Sequence, residues 1–144
     1  MISLAKNKNL EEISLLMYDI FSSKMQNTYS QDGINSFKND ISLTSLQTRF
    51  SSNSQFYIYT KDSKIIAVLE LEKPAHIAFL FSKIEGIGVA KKLCSFAQDN
   101  TSQEFITVGS YCNAIGFYKK LGFIEIDEEK TINGIAFTFM AKSL

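Results

Sequence analysis

The chain is 144 residues long, enough for one domain to bury a core of its own. An apolar share of 45% and a charged share of 21% belong to an ordinary globular protein rather than a disordered one. Fifteen basic and fifteen acidic side chains cancel to a formal net charge of zero. That balance argues against a chain that grips nucleic acid or an anionic membrane by long-range attraction.

The residues 2–6 fit a short first strand. From Leu10, the apolar residues Leu10, Ile13, Met17, Ile20 and Phe21 recur at helical spacing. Asn9 as N-cap with Glu12 behind it completes a start signal, and the pattern predicts a helix to about Met25. Two shorter helices are expected over Gly33–Asn39 and Thr44–Phe50. The texture then changes. Gln55–Thr60 and Lys64–Leu71 are β-branched and aromatic around a Lys61-Asp-Ser turn, which predicts a hairpin.

Ala75–Phe81 reads as a strand buried on both faces. Helical period returns from Gly88, with Val89, Leu93, Phe96 and Ala97 on one side. A strand at Phe105–Val108 follows, then a helix over Asn113–Leu121 that stops at Gly122, a natural residue for the turn beyond a helix end. Phe123–Ile126, an acidic and basic turn, and a last strand at Ile135–Ala141 close the chain. The order predicts one α/β (α+β) unit over residues 1–144 with a mixed sheet.

No apolar run is long enough for a bilayer crossing, since Ile65–Leu69 and Ile77–Phe81 are five residues each. The first residues lack the pattern of a secretory leader. Cys94 and Cys112 make no disulfide framework, and neither has metal-type spacing with His76, the one histidine. These readings predict a cytoplasmic protein with no structural metal.

Two stretches carry chemistry. In the first, Phe79-Leu-Phe-Ser-Lys-Ile-Glu-Gly-Ile-Gly-Val-Ala, a buried strand runs through a loop with Gly86 and Gly88 into an amphipathic helix. The first turn of a helix leaves amides unpaired and carries partial positive charge, which suits a phosphate. Glycine used only for turn geometry explains the same residues. Walker A and Gly-x-Gly-x-x-Gly patterns are both absent, and position 91 is Lys.

The second stretch contains Phe117-Tyr118-Lys119-Lys120-Leu121-Gly122-Phe123. With Glu85-Gly-Ile-Gly88-Val-Ala90 before it, the chain resembles the GNAT superfamily of N-acetyltransferases. The resemblance implies a mostly antiparallel central sheet of about six or seven strands flanked by helices. It also implies a V-shaped splay between two central parallel strands. Acetyl-CoA would be the acyl donor and an amine of a small molecule or protein the acceptor, joined by direct attack in a ternary complex. Backbone groups near Leu80, Phe81 and Ser82 would pair with the pantetheine arm, as an added strand does. Amides of Ile87, Gly88, Val89 and Ala90 would hold the pyrophosphate, and Asn113 and Tyr118 would also face the cofactor. Tyr118 would be the general acid, because a phenol of pKa about 10 keeps its proton at neutral pH and can give it to a departing thiolate. Ordinary core packing is the alternative for an aromatic at helical spacing.

Glu85 departs from the family, which commonly has Gln or Arg there, and a carboxylate beside a pyrophosphate is electrostatically unfavourable. The loop is also shorter than usual, and Gly109 lies near a position where the family often carries Asn. A CoA-binding or regulatory module without catalysis is therefore the competing reading. For the acceptor's proton, Glu70, Glu72, His76, Ser110 and Tyr111 are candidates that spacing does not separate. Tyr18, Tyr29 and Arg49, the one arginine, lie in the first third, where the family recognises acceptors. Cys112 is incidental if transfer is direct. No nucleic-acid or membrane partner is expected, and the last strand offers an edge through which a homodimer could form.

Overall fold

In a computed structural model, which describes residues 1–86 and 88–144, the strands of the hairpin set the frame. β1 (Ile2–Leu4), β2 (Ser54–Lys61) and β3 (Lys64–Glu72) pair antiparallel, and β4 (His76–Ser82) continues antiparallel on β3. β5 (Phe105–Ser110) lies parallel to β4. β6 (Ile124–Glu125), β7 (Lys130–Ile132) and β8 (Ile135–Ser143) complete a sheet of order β1-β2-β3-β4-β5-β8-β6, with β7 on β8. The mixed, mostly antiparallel architecture is the expected one.

Side chains alternate across this sheet and build two cores. Phe56, Ile58, Val68 and Phe81 face α1 (Leu10–Ile20), α2 (Gln31–Asp40) and α3 (Leu43–Ser52). Tyr57, Ala67, Leu69, Ile77, Ile106 and Val108 face α4 (Val89–Asp99) and α5 (Ile115–Lys120). Central strands covered on both sides have little polar face, which is why Ile65–Leu69 of β3 is an unbroken apolar run. Phe37 of α2 anchors the first core, stacked on Phe21 with ring centroids 4.2 Å apart.

Three local expectations need correction. Asn9 does not cap α1 through its side chain; its Oδ1 accepts from the Lys6 amide at 2.8 Å. Glu12, the other half of the expected cap, instead accepts from the Ile65 amide at 2.8 Å, so a tertiary bond to the sheet replaces the local one. The α-helix ends at Ile20, and residues Phe21–Met25 continue as a wider π-type turn. The stretch before Ile135 is a strand rather than only a turn. Asn133 and Gly134 adopt positive φ of 53° and 79° and close a β7–β8 hairpin, the conformation that an Asn-Gly pair favours.

The helix starts in the first third follow from serines. Ser30 Oγ accepts from the Gly33 amide at 3.1 Å, and Ser42 Oγ accepts from the Ser45 amide at 3.3 Å. Each satisfies one orphan amide and fixes where its helix begins. The chain meets itself closely above α2, where a Cβ on Gly33 would lie 2.4 Å from the Gly134 carbonyl oxygen. Only glycine lets the β7–β8 turn sit on that helix start.

Candidate active site

β4 and β5 pair only at His76 with Thr107 and at Ile77 with Val108, although β4 continues to Ser82 and β5 to Ser110. The cause lies on the other edge of β4. Its register against β3 jumps from Phe79–Glu70 to Ile77–Leu71, so Ala78 is an extra, unpaired residue. A bulge bends and twists its strand, and here it sends the far half of β4 away from β5.

The divergence exposes backbone. The Lys83 amide donates to the Ile66 carbonyl at 2.8 Å, and the same register pairs Phe81 with Val68. Antiparallel pairs alternate between bonded and unbonded, so Phe81 turns its polar backbone to β3. Leu80 and Ser82 turn theirs toward the opening. Of the three positions expected to meet a pantetheine arm, the two flanking ones have backbone groups free for it.

A slot lies between the strands, lined by Ile77, Leu80, Val108, Gly109, Tyr111 and Tyr118 among others, with about 40 Å³ of enclosed space. One water needs about 10–15 Å³, so the slot admits a few heavy atoms, the scale of a thioester end. Tyr118 enters from α5, packed edge-on against Phe117 and Phe123 at 5.1 and 5.4 Å. It is 5% exposed. Among the described residues no fully buried polar side-chain atom lacks a partner; the Tyr118 hydroxyl has none, and so it borders open space. Burial pushes its pKa well above the ordinary phenol value, so the proton stays in place at neutral pH.

Beyond β4 the loop reaches α4 through Gly86 and Gly88, at φ of 80° and 75°. A Cβ on either would meet nothing within 4 Å, so the space before α4 is open. The first helical bond runs from the Lys92 amide to the Gly88 carbonyl at 3.0 Å, which leaves the amides of Val89 and Ala90 unpaired by the helix. Ile87 lies outside the described residues. Glu85 is exposed, and Lys24 Nζ stands 3.4 Å from its Oε1. Lys24, which the sequence did not single out, thus places a cation beside the one acidic residue of the loop. The open cleft, the backbone edge and the free amides fit the extended, anionic shape of a CoA donor. Asn113 is exposed in the turn before α5 and lines a separate cavity of about 340 Å³ with Lys24 and Cys112.

The sheet's other face holds a cavity of about 360 Å³, with Asp40, His76, Gly109, Tyr111 and Phe139 in its lining. Glu70, one of the candidates for the acceptor's proton, is fully buried. Arg49 donates to it from Nε at 2.7 Å and from Nη2 at 3.0 Å, and Ser54 Oγ adds a bond of 2.7 Å. Arg49 is therefore an ion-pair residue. Ser110 is buried and donates to the Tyr111 carbonyl at 2.9 Å. Burial raises Tyr111 far above an ordinary phenol and lifts Tyr29 to about 12, with a smaller push from Cys112. Both keep their protons. Tyr18 is 47% exposed, with Lys38 over its ring, and lines neither cavity.

His76 stands at the closed end of the splay. Its Nδ1 lies 2.8 Å from Thr107 Oγ1. Burial lowers its pKa, opposed by the carboxylates of Glu72 and Glu70, so the imidazole is neutral at pH 7. Asp40 was absent from the sequence candidates because it ends an ordinary amphipathic helix; only the fold sets it opposite β4.

A sheet whose parallel strands β4 and β5 part beside a bulge on β4, next to a glycine-led helix start, is the architecture of an acyltransferase-type fold. The acetyltransferase (GNAT) domain family model matches residues 25–144, and the chain belongs to that family. The fold is similar to that of a GCN5-related N-acetyltransferase from Rhodopseudomonas palustris, at 20% identity and TM-score 0.87 over 100% of this chain and 95% of that one. The PaiA N-acetyltransferase of Thermoplasma acidophilum, solved with coenzyme A, matches at 20% identity and TM-score 0.79 over 100% and 99% of the two chains. Tetrahymena GCN5 matches at 16% identity and TM-score 0.71 over 99% and 95%. No curated protein matches the sequence. No described helix is long and apolar enough to cross a membrane.

Proposed function

We propose that residues 1–144 act as one N-acetyltransferase domain, moving an acetyl group from acetyl-CoA to a primary amine by direct attack in a ternary complex. The observation that carries this reading is the pairing of two features across one cleft: the outward backbone of Leu80 and Ser82, and the unpaired hydroxyl of Tyr118. Leu80 and Ser82 hold the pantetheine arm as a neighbouring strand would. The amides of Val89 and Ala90 hold the diphosphate, aided by the positive end of α4. Tyr118, its proton secured by burial, protonates the thiolate as the carbon–sulfur bond breaks. Lys24 offsets the charge of Glu85 at the mouth.

A binding module without catalysis draws its support from Glu85, which stays 82% exposed despite Lys24. Calorimetric titration of acetyl-CoA into the native chain and into Glu85→Gln, followed by thiol release across an amine panel, separates the two readings. Binding with thiol release supports the enzyme. Binding with none across the panel supports the module, and no binding to either protein refutes both.

A further inference from the structure

We propose that the cavity between α2, the closed end of the splay and the β7–β8 hairpin is the acceptor pocket, and that it takes an alkylamine arriving as a cation, held by Asp40 and deprotonated by His76. The direction of attack rests on the acetyl-transfer reading; the cation preference rests on the cavity alone.

Position comes first. Gly109 and Tyr111 line both this cavity and the slot that Tyr118 borders, so the two spaces share part of their wall. Charge comes next. Arg49 has its guanidinium engaged by Glu70 and by the Asp40 carbonyl at 2.8 Å. That buried pair is neutral as a unit. No lysine is in the lining, and the Asp40 carboxylate has no hydrogen bond or ion pair with a described residue. The cavity therefore carries one uncompensated negative charge. Half-burial raises the pKa of Asp40, with Arg49 opposing and Glu70 adding. Ile135, Phe137 and Phe139 supply apolar wall for methylenes. An acceptor bearing its own carboxylate is repelled.

His76 supplies the proton acceptor. In the tautomer whose Nδ1–H donates to Thr107 Oγ1, the lone pair sits on Nε2, which has no partner among the described residues and so borders open space. One proton of the ammonium passes to Nε2, and the freed lone pair attacks the thioester carbon. The C–N bond forms as the C–S bond breaks and Tyr118 protonates the sulfur. The second proton leaving nitrogen restores Tyr118 through water, and His76 releases its proton to solvent. One proton is released per turnover.

The test uses n-butylamine, 4-aminobutyrate and butanol as probes, first without acetyl-CoA, followed by NMR. Native protein should bind n-butylamine saturably and bind 4-aminobutyrate and butanol at least about tenfold more weakly; Asp40→Asn should lose about tenfold for the amine and Asp40→Glu recover part of it. With acetyl-CoA, His76→Gln should lower kcat by about a hundredfold, leave the KM for acetyl-CoA unchanged and remove the acid limb of the pH–rate profile. That limb is set by His76 among Glu70 and Glu72 from β3, Asp40 from α2 and Thr107 from β5. Equal binding of amine and amino acid, an Asp40→Asn protein that binds like native, or an unchanged pH profile overturns the proposal. Amine binding that persists while acetyl-CoA fails to bind would sink acetyl transfer and leave the cation pocket standing.

Discussion

Ile77 and Val108 form the last pair between β4 and β5, and the residue after Ile77, Ala78, has no partner on β3 either. One extra residue thus interrupts the pairing with β3 where the pairing with β5 ends. It turns a continuous sheet into a sheet with a cleft, which Leu80 and Tyr118 line. The opening is written into covalent length rather than into any flexible loop.

Tyr118→Phe removes one oxygen from a site whose rings already hold the side chain in place. Phe117 and Phe123 pack against the ring rather than the hydroxyl. Stability should hardly change. Turnover should fall by about a hundredfold or more, the usual yield of a positioned general acid, while the acetyl-CoA Kd stays near native. Unchanged turnover in a stopped-time thiol assay would remove Tyr118 from the mechanism.

Gly88→Val tests the loop. A Cβ at position 88 would meet nothing within 4 Å, so the main cost to folding comes from φ of 75°. A left-handed conformation costs a residue with a Cβ about 1–2 kcal/mol, and thermal unfolding should report a loss of that size. Acetyl-CoA affinity should fall further than stability, because the branched side chain would project into the space before α4. Affinity that drops no more than the fold does would argue against the diphosphate lying there.

Glu85 and Lys24 make an exposed pair, 82% and 40% exposed. Exposed pairs contribute about 0–1 kcal/mol, so neither Glu85→Gln nor Lys24→Met should move the melting temperature. Their effects on the donor should be opposite in sign: Glu85→Gln tightens acetyl-CoA binding and Lys24→Met loosens it. Both effects should shrink as salt rises. Titration calorimetry at two ionic strengths reads all four numbers.

The helices, the hairpin and the last strand were legible because each has a period or a start signal of its own. The motif at Phe117–Phe123 pointed to the family, and Gly88 to the helix start. The features that shape the site were not legible. Ala78 is one small residue in an apolar run, and nothing local marks it as extra; the bulge appears only when β3 supplies a register. The burial of Glu70 was not legible because its partner Arg49 is 21 residues earlier on a helix. Glu12 fitted a cap by spacing, yet the Ile65 amide competes for it only after β3 folds against α1. The Asn133-Gly134 turn is different, since its dipeptide carries a hairpin signal in plain view.

His76 links the site to pH. Burial is the main cause that holds its pKa below the ordinary 6.5. As pH falls through that value the unfolded chain takes up a proton that the folded chain resists, so folding loses stability on the acid side. The melting temperature should therefore decline from pH 7.5 toward pH 5.5 by more than it does in His76→Gln. Parallel curves for the two proteins would show that His76 titrates alike folded and unfolded.

Arg49 of α3 and Glu70 of β3 form an ion pair between helix and sheet. Glu70 is fully buried and Arg49 24% exposed on its side chain, joined by two bonds of 2.7 and 3.0 Å. Arg49→Met keeps an unbranched apolar stem in place of the arginine's methylenes but leaves a carboxylate in the core with only Ser54 to bond it. Breaking a buried pair from one side costs about 3–5 kcal/mol, because the remaining charge is uncompensated. The partial exposure of Arg49 puts this case at the lower end. Arg49→Met with Glu70→Gln leaves no charge behind, and should recover much of the loss in urea denaturation. Arg49 also bonds the Asp40 carbonyl and lies over the Phe79 ring, so the double variant should stay somewhat below native. A double variant no more stable than Arg49→Met would mean that packing and the Asp40 bond, rather than the stranded charge, set the cost.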